Sequence, residues 1–179
     1  MLVNRDMKQK LTSSPSVKEK AQKIRLVLTD VDGVLTDTGV YYSDAGEAMK
    51  RFSIRDGMGV ERLRQIADVE TGIVTGEESA SIRKRAQKLQ IVELHLGIKR
   101  KVEALEEIIL RIPVSLEQIA YIGDDMNDFE IIKSVGLSAC PCDAFPAIKK
   151  IVDFVCSTGG GHGAFREFAE FIIASKIKD

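Results

Sequence analysis

Asp30 and Asp32 stand one residue apart in the string DVDGVLTD, behind the apolar run Ile24, Leu26, Val27 and Leu28 and directly before Gly33. A short aliphatic run reads as a buried strand, and the glycine past it permits a sharp turn, so both carboxylates are expected at the strand's carboxyl end. Open α/β sheets bind their ligands at that end. Two carboxylates so close repel each other unless a cation sits between them or one takes up a proton. Taken alone, the pair reads as a solvated acidic turn in which Asp30 is a cap. Three further segments argue for more. Thr75 ends a strand in IVTG, although by itself it reads as a helix cap. Lys101 starts a long helix, a place where the helix dipole disfavours a cation, with a surface lysine as the bland alternative. The string YIGDDMNDFEII brings Asp124, Asp125 and Asp128 to a third strand end, Asp128 being also a candidate cap.

So much negative charge on one edge is explained economically by a divalent cation. Oxygen ligands with room left for water and a substrate phosphate suit Mg2+. Asp30 is then the candidate nucleophile, attacking phosphorus to give an aspartyl-phosphate that splits one difficult hydrolysis into two easier steps. Asp32 stands close enough to protonate the departing alkoxide and then to take a proton from the attacking water. Thr75 and Lys101 would bind the transferring phosphoryl oxygens, where fixed donors stabilise the spread charge of the transition state.

The elements that must position these groups follow from the pattern of apolar residues. Strands are expected near Ile24 to Thr29, Thr71 to Val74, Ile91 to Leu94, Ile119 to Ile122, Gly136 to Ala139 and Asp153 to Val155. Helices fill the gaps, the clearest being Lys101 to Ile112, with Val102, Leu105, Ile108, Ile109 and Ile112 at helical spacing and Pro113 as its stop. Val60, Leu63 and Ile66 mark another helix, and Ala164 to Ile173 a last one. Strands alternating with helices imply an α/β, Rossmann-like domain with a parallel sheet between helices. Val40 to Ser43 and Met49 to Ser53, joined by Asp44 to Glu47, break the alternation as a β-hairpin over the acidic loop, a flap rather than a large cap domain. Residues 1–22 read as a mobile lead-in with a helical turn over Ser16 to Lys23, leaving residues 23–179 as the domain.

Composition narrows the partners. Lysine and arginine number 26 against 27 acidic residues, a net charge of -1, which gives no general attraction to nucleic acid or to an anionic membrane. The lysine-rich start lacks the apolar centre of a signal peptide, and no apolar run suffices to span a bilayer, so a cytoplasmic location is expected. Cys140, Cys142 and Cys156 lack zinc-site or redox-motif spacing and are expected as reduced thiols.

The ordered set DVDGVLTD, IVTG, Lys101 and GDDMND resembles the haloacid dehalogenase (HAD) superfamily of phosphotransferases. By that resemblance Asp30 is the nucleophile, Asp32 the acid/base, and Mg2+ is held by Asp30, the backbone carbonyl of Asp32 and Asp124, with Asp125 and Asp128 in support. The absence of a large cap insert, FSIRDGMG and the tail GGGHGAFRE make the chain from about Ile24 onward similar to the 3-deoxy-D-manno-octulosonate (KDO) 8-phosphate phosphatase family. That resemblance implies a phosphorylated ulosonic acid sugar as substrate, within lipopolysaccharide-type sugar synthesis. It implies a homotetramer in which a neighbouring subunit, aided by the hairpin, covers each site. It also implies that Ser53, Ile54, Arg55, Asp56 and Gly57 line the substrate site, and that the tail from Gly160 to Arg166 reaches an adjacent one, Arg166 being able to bind an anion. A flexible linker is the alternative for the glycines.

One position departs from the family pattern. Glu77 stands where an arginine usually follows threonine and glycine. It would accept hydrogen bonds from sugar hydroxyls or pair with Lys88, with Arg85 as a second cation nearby, the pattern expected of relatives acting on 2-keto-3-deoxynononate (KDN) 9-phosphate. An N-acylneuraminate 9-phosphate belongs to the same nine-carbon alternative. The bland reading of Glu77 and Glu78 is a first helical turn favoured by the dipole. Two other classes compete. A signalling receiver shares the acidic pair, threonine and lysine, but separates its phosphorylated aspartate from its acidic pair by a strand and a helix. A catalytically silent tetramerisation module could keep the fold while losing the nucleophile, acid/base or lysine, all of which are present here.

Overall fold

The computed structural model describes residues 16–177. The chain enters through helix α1 (Val17–Lys23), strand β1 (Leu26–Thr29), the antiparallel hairpin β2 (Thr36–Ser43) and β3 (Gly46–Phe52), and helix α2 (Ile54–Ala67). It then alternates through β4 (Glu70–Val74), α3 (Ala80–Lys88), β5 (Glu93–His95), α4 (Lys101–Arg111), β6 (Ile119–Ile122), α5 (Phe129–Ser134), β7 (Leu137–Cys140), α6 (Pro146–Lys149) and β8 (Phe154–Val155), and α7 (Ala164–Lys176) follows. The six strands outside the hairpin form one parallel sheet in the order β5-β4-β1-β6-β7-β8. This is the Rossmann-like α/β architecture expected from the alternation, with the small hairpin as its only separate sheet among the described residues.

All of β1 and β6 is buried, yet alternate residues serve different layers. Val27, Ala120 and Ile122 pack with Ala21 of α1, Leu63 of α2, Ile82 of α3 and Phe168 of α7. Leu26, Leu28, Ile119 and Tyr121 pack with Leu105 and Ile108 of α4, Ile131 of α5 and Ile148 of α6. A strand presents successive side chains to opposite faces, so helices on both faces require a continuous apolar run. Each fully buried aliphatic side chain in these layers contributes about 1.5–3 kcal/mol.

Strand order places the site. β1 lies between β4 and β6, with later strands added outward on both sides, so the winding reverses at β1 and a crevice opens beyond its carboxyl end. Thr29 aligns with Ile73 and with Ile122, which brings Asp30, Thr75 and Asp124 to one edge.

Several boundaries differ from the sequence reading, each for a local reason. Residues 1–15 of the expected lead-in lie outside the described residues. From Ser16 onward the chain belongs to the packing: the Ser16 hydroxyl accepts from the Glu19 N–H at 3.2 Å, the Glu19 carboxylate accepts from the Ser16 N–H at 2.6 Å, and Ala21 is fully buried. Ile91 closes α3 instead of starting β5, donating its N–H to the Ala86 carbonyl at 3.0 Å behind Gln90 at φ 56°. The hairpin is longer than expected because β2 already begins at Thr36 and crosses a register shift that contains Thr38 at φ 65°. Its turn is correspondingly tight, with Ser43 paired to Gly46. Ile66, expected on the core face of α2, is 41% exposed.

Candidate active site

Beyond β1 the chain folds back at once. The N–H groups of Val34, Leu35 and Thr36 all donate to the Val31 carbonyl, a tight turn that passes through Gly33 at φ 87°. A Cβ on Gly33 would lie 2.0 Å from Oδ2 of Asp124, so the missing side chain is what lets the carboxylate from the β6 end approach the β1 loop. Gly160 fits against the same turn, since a Cβ there would lie 2.0 Å from the Gly33 carbonyl oxygen. Gly160 of the glycine-rich tail therefore presses on the acidic loop instead of belonging to a free linker.

Asp30 is 4% exposed. Its Oδ1 accepts from the Val31 N–H at 2.7 Å, and its Oδ2 lies 2.7 Å from Nζ of Lys101. Lys101 reaches it because the first residue of α4 stands on the same buried face as Ala104, Leu105 and Ile108, and helical side chains tilt toward the helix N-terminus, here toward the strand ends. Nζ of Lys101 also donates to Oδ1 of Asp128 at 2.6 Å and to the Tyr121 hydroxyl at 3.2 Å, while that hydroxyl donates to Oδ1 of Asp128 at 2.5 Å. Oδ2 of Asp128 accepts the N–H groups of Asp124 and Asp125 at 2.9 and 3.2 Å. Two carboxylates thus offset the helix dipole that disfavours a lysine at this position.

Burial raises the Asp30 carboxyl to about 6; Lys101 pulls against that rise, and the Asp128 charge adds to it. Burial, followed by the charges of Asp30, Asp128 and Asp125, pushes Asp124 to about 8. Burial works against the Lys101 ammonium, but Asp30 and Asp128 outweigh it and hold its pKa above the ordinary value. One ammonium thus faces three carboxylates.

Oxygens of Asp30, Asp124 and Asp128 lie within 4.8 Å of one another. Asp128 is already saturated by the donors named above, whereas the Asp124 carboxylate receives no hydrogen bond among the described residues. Asp30 and Asp124 are therefore the side chains that fit a divalent cation, few enough to leave room for water and phosphate. Asp125, grouped with the ligands on sequence, is exposed and spends its Oδ1 on the Met126 N–H at 2.6 Å.

Asp30, Asp32, Thr75, Asp124 and Asp125 line a cleft of about 330 Å3. Its remaining wall is Thr38, Val40, Tyr42 and Lys50 of the hairpin, Gly76 and Glu77 after β4, and Asn127. Thr75 is 1% exposed, and its Oγ1 accepts the Glu77 N–H at 3.2 Å. Asp32 sits across the cleft, its Oδ1 accepting from the Thr36 hydroxyl at 3.1 Å and its Oδ2 from Nζ of Lys50 at 2.6 Å. Burial opposes the Lys50 ammonium, but the hydrogen bond and charge of Asp32, with Glu47 and Glu77, raise its pKa. The sequence reading assigned Lys50 no role. Only the observed register reveals it: Lys50 pairs with Val40, so both share the face turned to the acidic loop.

The sugar-binding candidates scatter. Glu77 lines the cleft, where its charge acts on Lys50; no ion pair between Glu77 and Lys88 forms among the described residues, and Lys88 is exposed on α3. Ser53, Ile54 and Arg55 line a separate depression with Arg51, Phe52, Gly161 and His162. The Ser53 hydroxyl caps α2 by accepting the N–H groups of Arg55 and Asp56. Asp56 is 1% exposed and accepts the Arg166 N–H at 3.0 Å, capping α7 in place of the side chain that Gly163 lacks. Gly57 packs against the Arg85 guanidinium, which donates to the Ser53 carbonyl at 2.7 Å and lies over the Phe52 ring. The Arg166 side chain donates to Glu170 at 2.7 Å. The His95 ring lies 3.3 Å from Glu93 and is not part of the cleft wall, although the His95 carbonyl accepts the Thr75 N–H at 3.0 Å.

Residues 74–167 match the haloacid dehalogenase-like hydrolase family. A 3-deoxy-D-manno-octulosonate 8-phosphate phosphatase of Haemophilus influenzae is 40% identical over 162 residues, covering 90% of this chain and 89% of the relative. Among solved structures, the corresponding phosphatase of Yersinia pestis superposes with a TM-score of 0.87 at 36% identity, covering 89% of this chain and 86% of that one. That of Moraxella catarrhalis, in complex with magnesium, phosphate and KDO, gives 0.86 at 31% identity, covering 89% and 91%. The chain belongs to the haloacid dehalogenase-like hydrolases, within the 3-deoxy-D-manno-octulosonate 8-phosphate phosphatase family of phosphoric monoester hydrolases.

Proposed function

We propose that this chain is a Mg2+-dependent phosphatase that converts KDO 8-phosphate to KDO and inorganic phosphate through an aspartyl-phosphate on Asp30. The observation that carries this reading is the buried Asp30 carboxylate, set at the cleft with Lys101 at 2.7 Å and with Thr75 and Asp124 around it. Mg2+ between Asp30, Asp124 and the Asp32 backbone carbonyl would offset the charge of the carboxylates and of the phosphate dianion. Lys101 and the Thr75 hydroxyl bind the phosphoryl oxygens. Asp30 attacks phosphorus; the ester P–O bond breaks, its electron pair stays on the sugar oxygen, and Asp32 gives that oxygen its proton. Asp32, now a carboxylate, takes a proton from water as the water attacks phosphorus. The bond from phosphorus to Asp30 breaks, releasing inorganic phosphate and restoring both aspartates.

Glu77 on the cleft wall favours a second substrate reading, a nine-carbon KDN or N-acylneuraminate 9-phosphate, because an acid there accepts hydrogen bonds from sugar hydroxyls. Tyr41, Tyr42 and Met49 on the hairpin are 59%, 74% and 57% exposed, which supports self-association through the flap in a homotetramer. In such an assembly Arg55, Arg166 and the depression beside Ser53 would face a neighbouring copy's substrate. No helix among the described residues is long and apolar enough to cross a membrane. The proposed setting is cytoplasmic, in lipopolysaccharide-type sugar synthesis.

The test is Mg2+-dependent phosphate release from KDO 8-phosphate and KDN 9-phosphate side by side, compared as kcat/KM. A higher value for KDO 8-phosphate upholds the first reading, and a higher value for KDN 9-phosphate makes Glu77 a specificity element. No release from either would make the chain a silent module and overturn both.

A further inference from the structure

Lys50 is an unusual residue to find in the flap. Its side chain is 1% exposed although the flap itself is mostly open to solvent, and its ammonium points at a carboxylate of the cleft rather than outward. Burying an ammonium costs several kcal/mol unless it is paired and hydrogen-bonded, so the site is built around the pairing. Nζ lies 2.6 Å from Oδ2 of Asp32 and 3.6 Å from Oε2 of Glu47. Glu47 in turn accepts a hydrogen bond from the Ser79 hydroxyl, just before α3, which ties the turn end of the flap to the loop after Thr75. The other oxygen of Asp32, Oδ1, is the nearer acceptor of the Thr36 hydroxyl at 3.1 Å, the Val31 carbonyl lying at 3.3 Å. Thr36 and Lys50 belong to the two strands of the hairpin. Both carboxylate oxygens of Asp32 are therefore gripped by the flap, and each keeps a second site, one of which holds the proton given to the leaving oxygen and then, once emptied, accepts a proton from the attacking water.

We infer that Lys50, with Thr36, is a positioning residue that aims the Asp32 carboxyl at the leaving oxygen, so that the flap governs proton delivery and not only access. The inference rests on the aspartyl-phosphate reading above. It makes a distinction that a purely structural lysine would not. A sugar alkoxide is a poor leaving group and needs its proton as the P–O bond breaks; p-nitrophenolate is a good one and leaves without it. Since kcat/KM reports the steps up to departure of the leaving group, it isolates the part of the reaction in which aim matters.

The experiment measures kcat/KM for wild type and Lys50→Met on the ulosonic acid phosphate that the wild type hydrolyses and on p-nitrophenyl phosphate, with the same pair repeated in an Asp32→Asn background. A loss of ~100-fold on the sugar phosphate, within the usual range for general acid catalysis, is expected beside a loss of no more than ~3-fold on the aryl ester. With Asp32→Asn in place, Lys50→Met should add almost nothing, as expected for two groups acting as a unit. Lys50→Arg, which keeps the cation, should recover part of the sugar phosphate activity. If Lys50→Met does not fold, Thr36→Val removes the other grip and should give the same split. Equal losses on both esters, or a full additional loss in the Asp32→Asn background, would overturn the positioning role while leaving the phosphatase reading intact. A wild type that releases phosphate from neither ester would overturn both together.

Discussion

Asp30 and Asp32 are separated by Val31 alone, yet different parts of the molecule hold them. Asp30 is 4% exposed and its partners come from the core, namely the Val31 N–H and Lys101, which is itself fixed by Asp128 and Tyr121 under the sheet edge. The Asp32 side chain is 25% exposed, and its partners Thr36 and Lys50 come from the hairpin, a two-stranded sheet of its own. The division suits the two roles. A nucleophile must meet phosphorus along one line, which a rigid interior secures, whereas a group that both gives and takes a proton benefits from a partner on a segment able to adjust to substrate. The turn through Gly33 is the joint between the two regimes.

Substitutions in the core pocket should damage the reaction with every ester, and the largest loss belongs to the nucleophile. Asp30→Asn is expected to lower kcat by at least ~10^4-fold, by analogy with nucleophile removal elsewhere, with the unfolding midpoint unchanged or higher, since a buried carboxylate has been removed. Lys101→Met should cost ~100- to 1,000-fold in kcat through loss of a fixed cation at the phosphoryl oxygens, measured on both sugar and aryl phosphates. An aryl ester spared by this change would move Lys101 from the core group to the flap group.

Smaller effects probe the joint and the metal. Gly33→Ala places a Cβ against Asp124 at φ 87°. It should destabilise the fold by about 1–3 kcal/mol in chemical denaturation. By displacing Asp124 it should also raise the Mg2+ concentration for half-maximal activity ~10-fold. The pH dependence follows from the Asp124 carboxyl, raised from 3.8 to about 8. Between those values the folded metal-free protein holds a proton that the unfolded chain has released, so its stability falls as pH rises across that interval. A cation that takes the proton's place stabilises more at the upper end. The increase in Tm on adding Mg2+ should be about 2–4 °C larger at pH 8 than at pH 6, equivalent to about 1 kcal/mol for a chain of this size. The smallest effect separates packing from binding: Asp56→Ala should cost about 1–2 kcal/mol of stability by uncapping α7, with KM unchanged.

The core half of the site was legible from sequence because its signals are local. Asp30, Thr75 and Asp124 each follow an apolar run at a strand end, and Lys101 opens a regularly amphipathic helix. A parallel sheet with its winding reversal at β1 then has little freedom in where it puts them. The flap half was less legible. Its existence could be read from the hairpin pattern, but the inward side of Lys50 depends on the register, which shifts between Thr36 and Val40 where Thr38 takes φ 65°. A one-residue error there turns every side chain to the other face. Asp56 was beyond reach for another reason, because the helix it caps begins at Ala164, far along the chain. Asp125 and Asp128 could not be told apart by type, and only the fold shows Asp128 buried between Lys101 and Tyr121 while Asp125 turns outward.

The central claim is that Asp30 carries the phosphoryl group in the course of turnover. Rapid acid quench of a single turnover with Mg2+ and substrate labelled in its phosphate tests it most directly. Label should pass transiently through the protein, map to the peptide containing Asp30, and be absent in Asp30→Asn. Release of labelled phosphate with no protein-bound label at any quench time, at full rate in the Asp30→Asn protein, would contradict it.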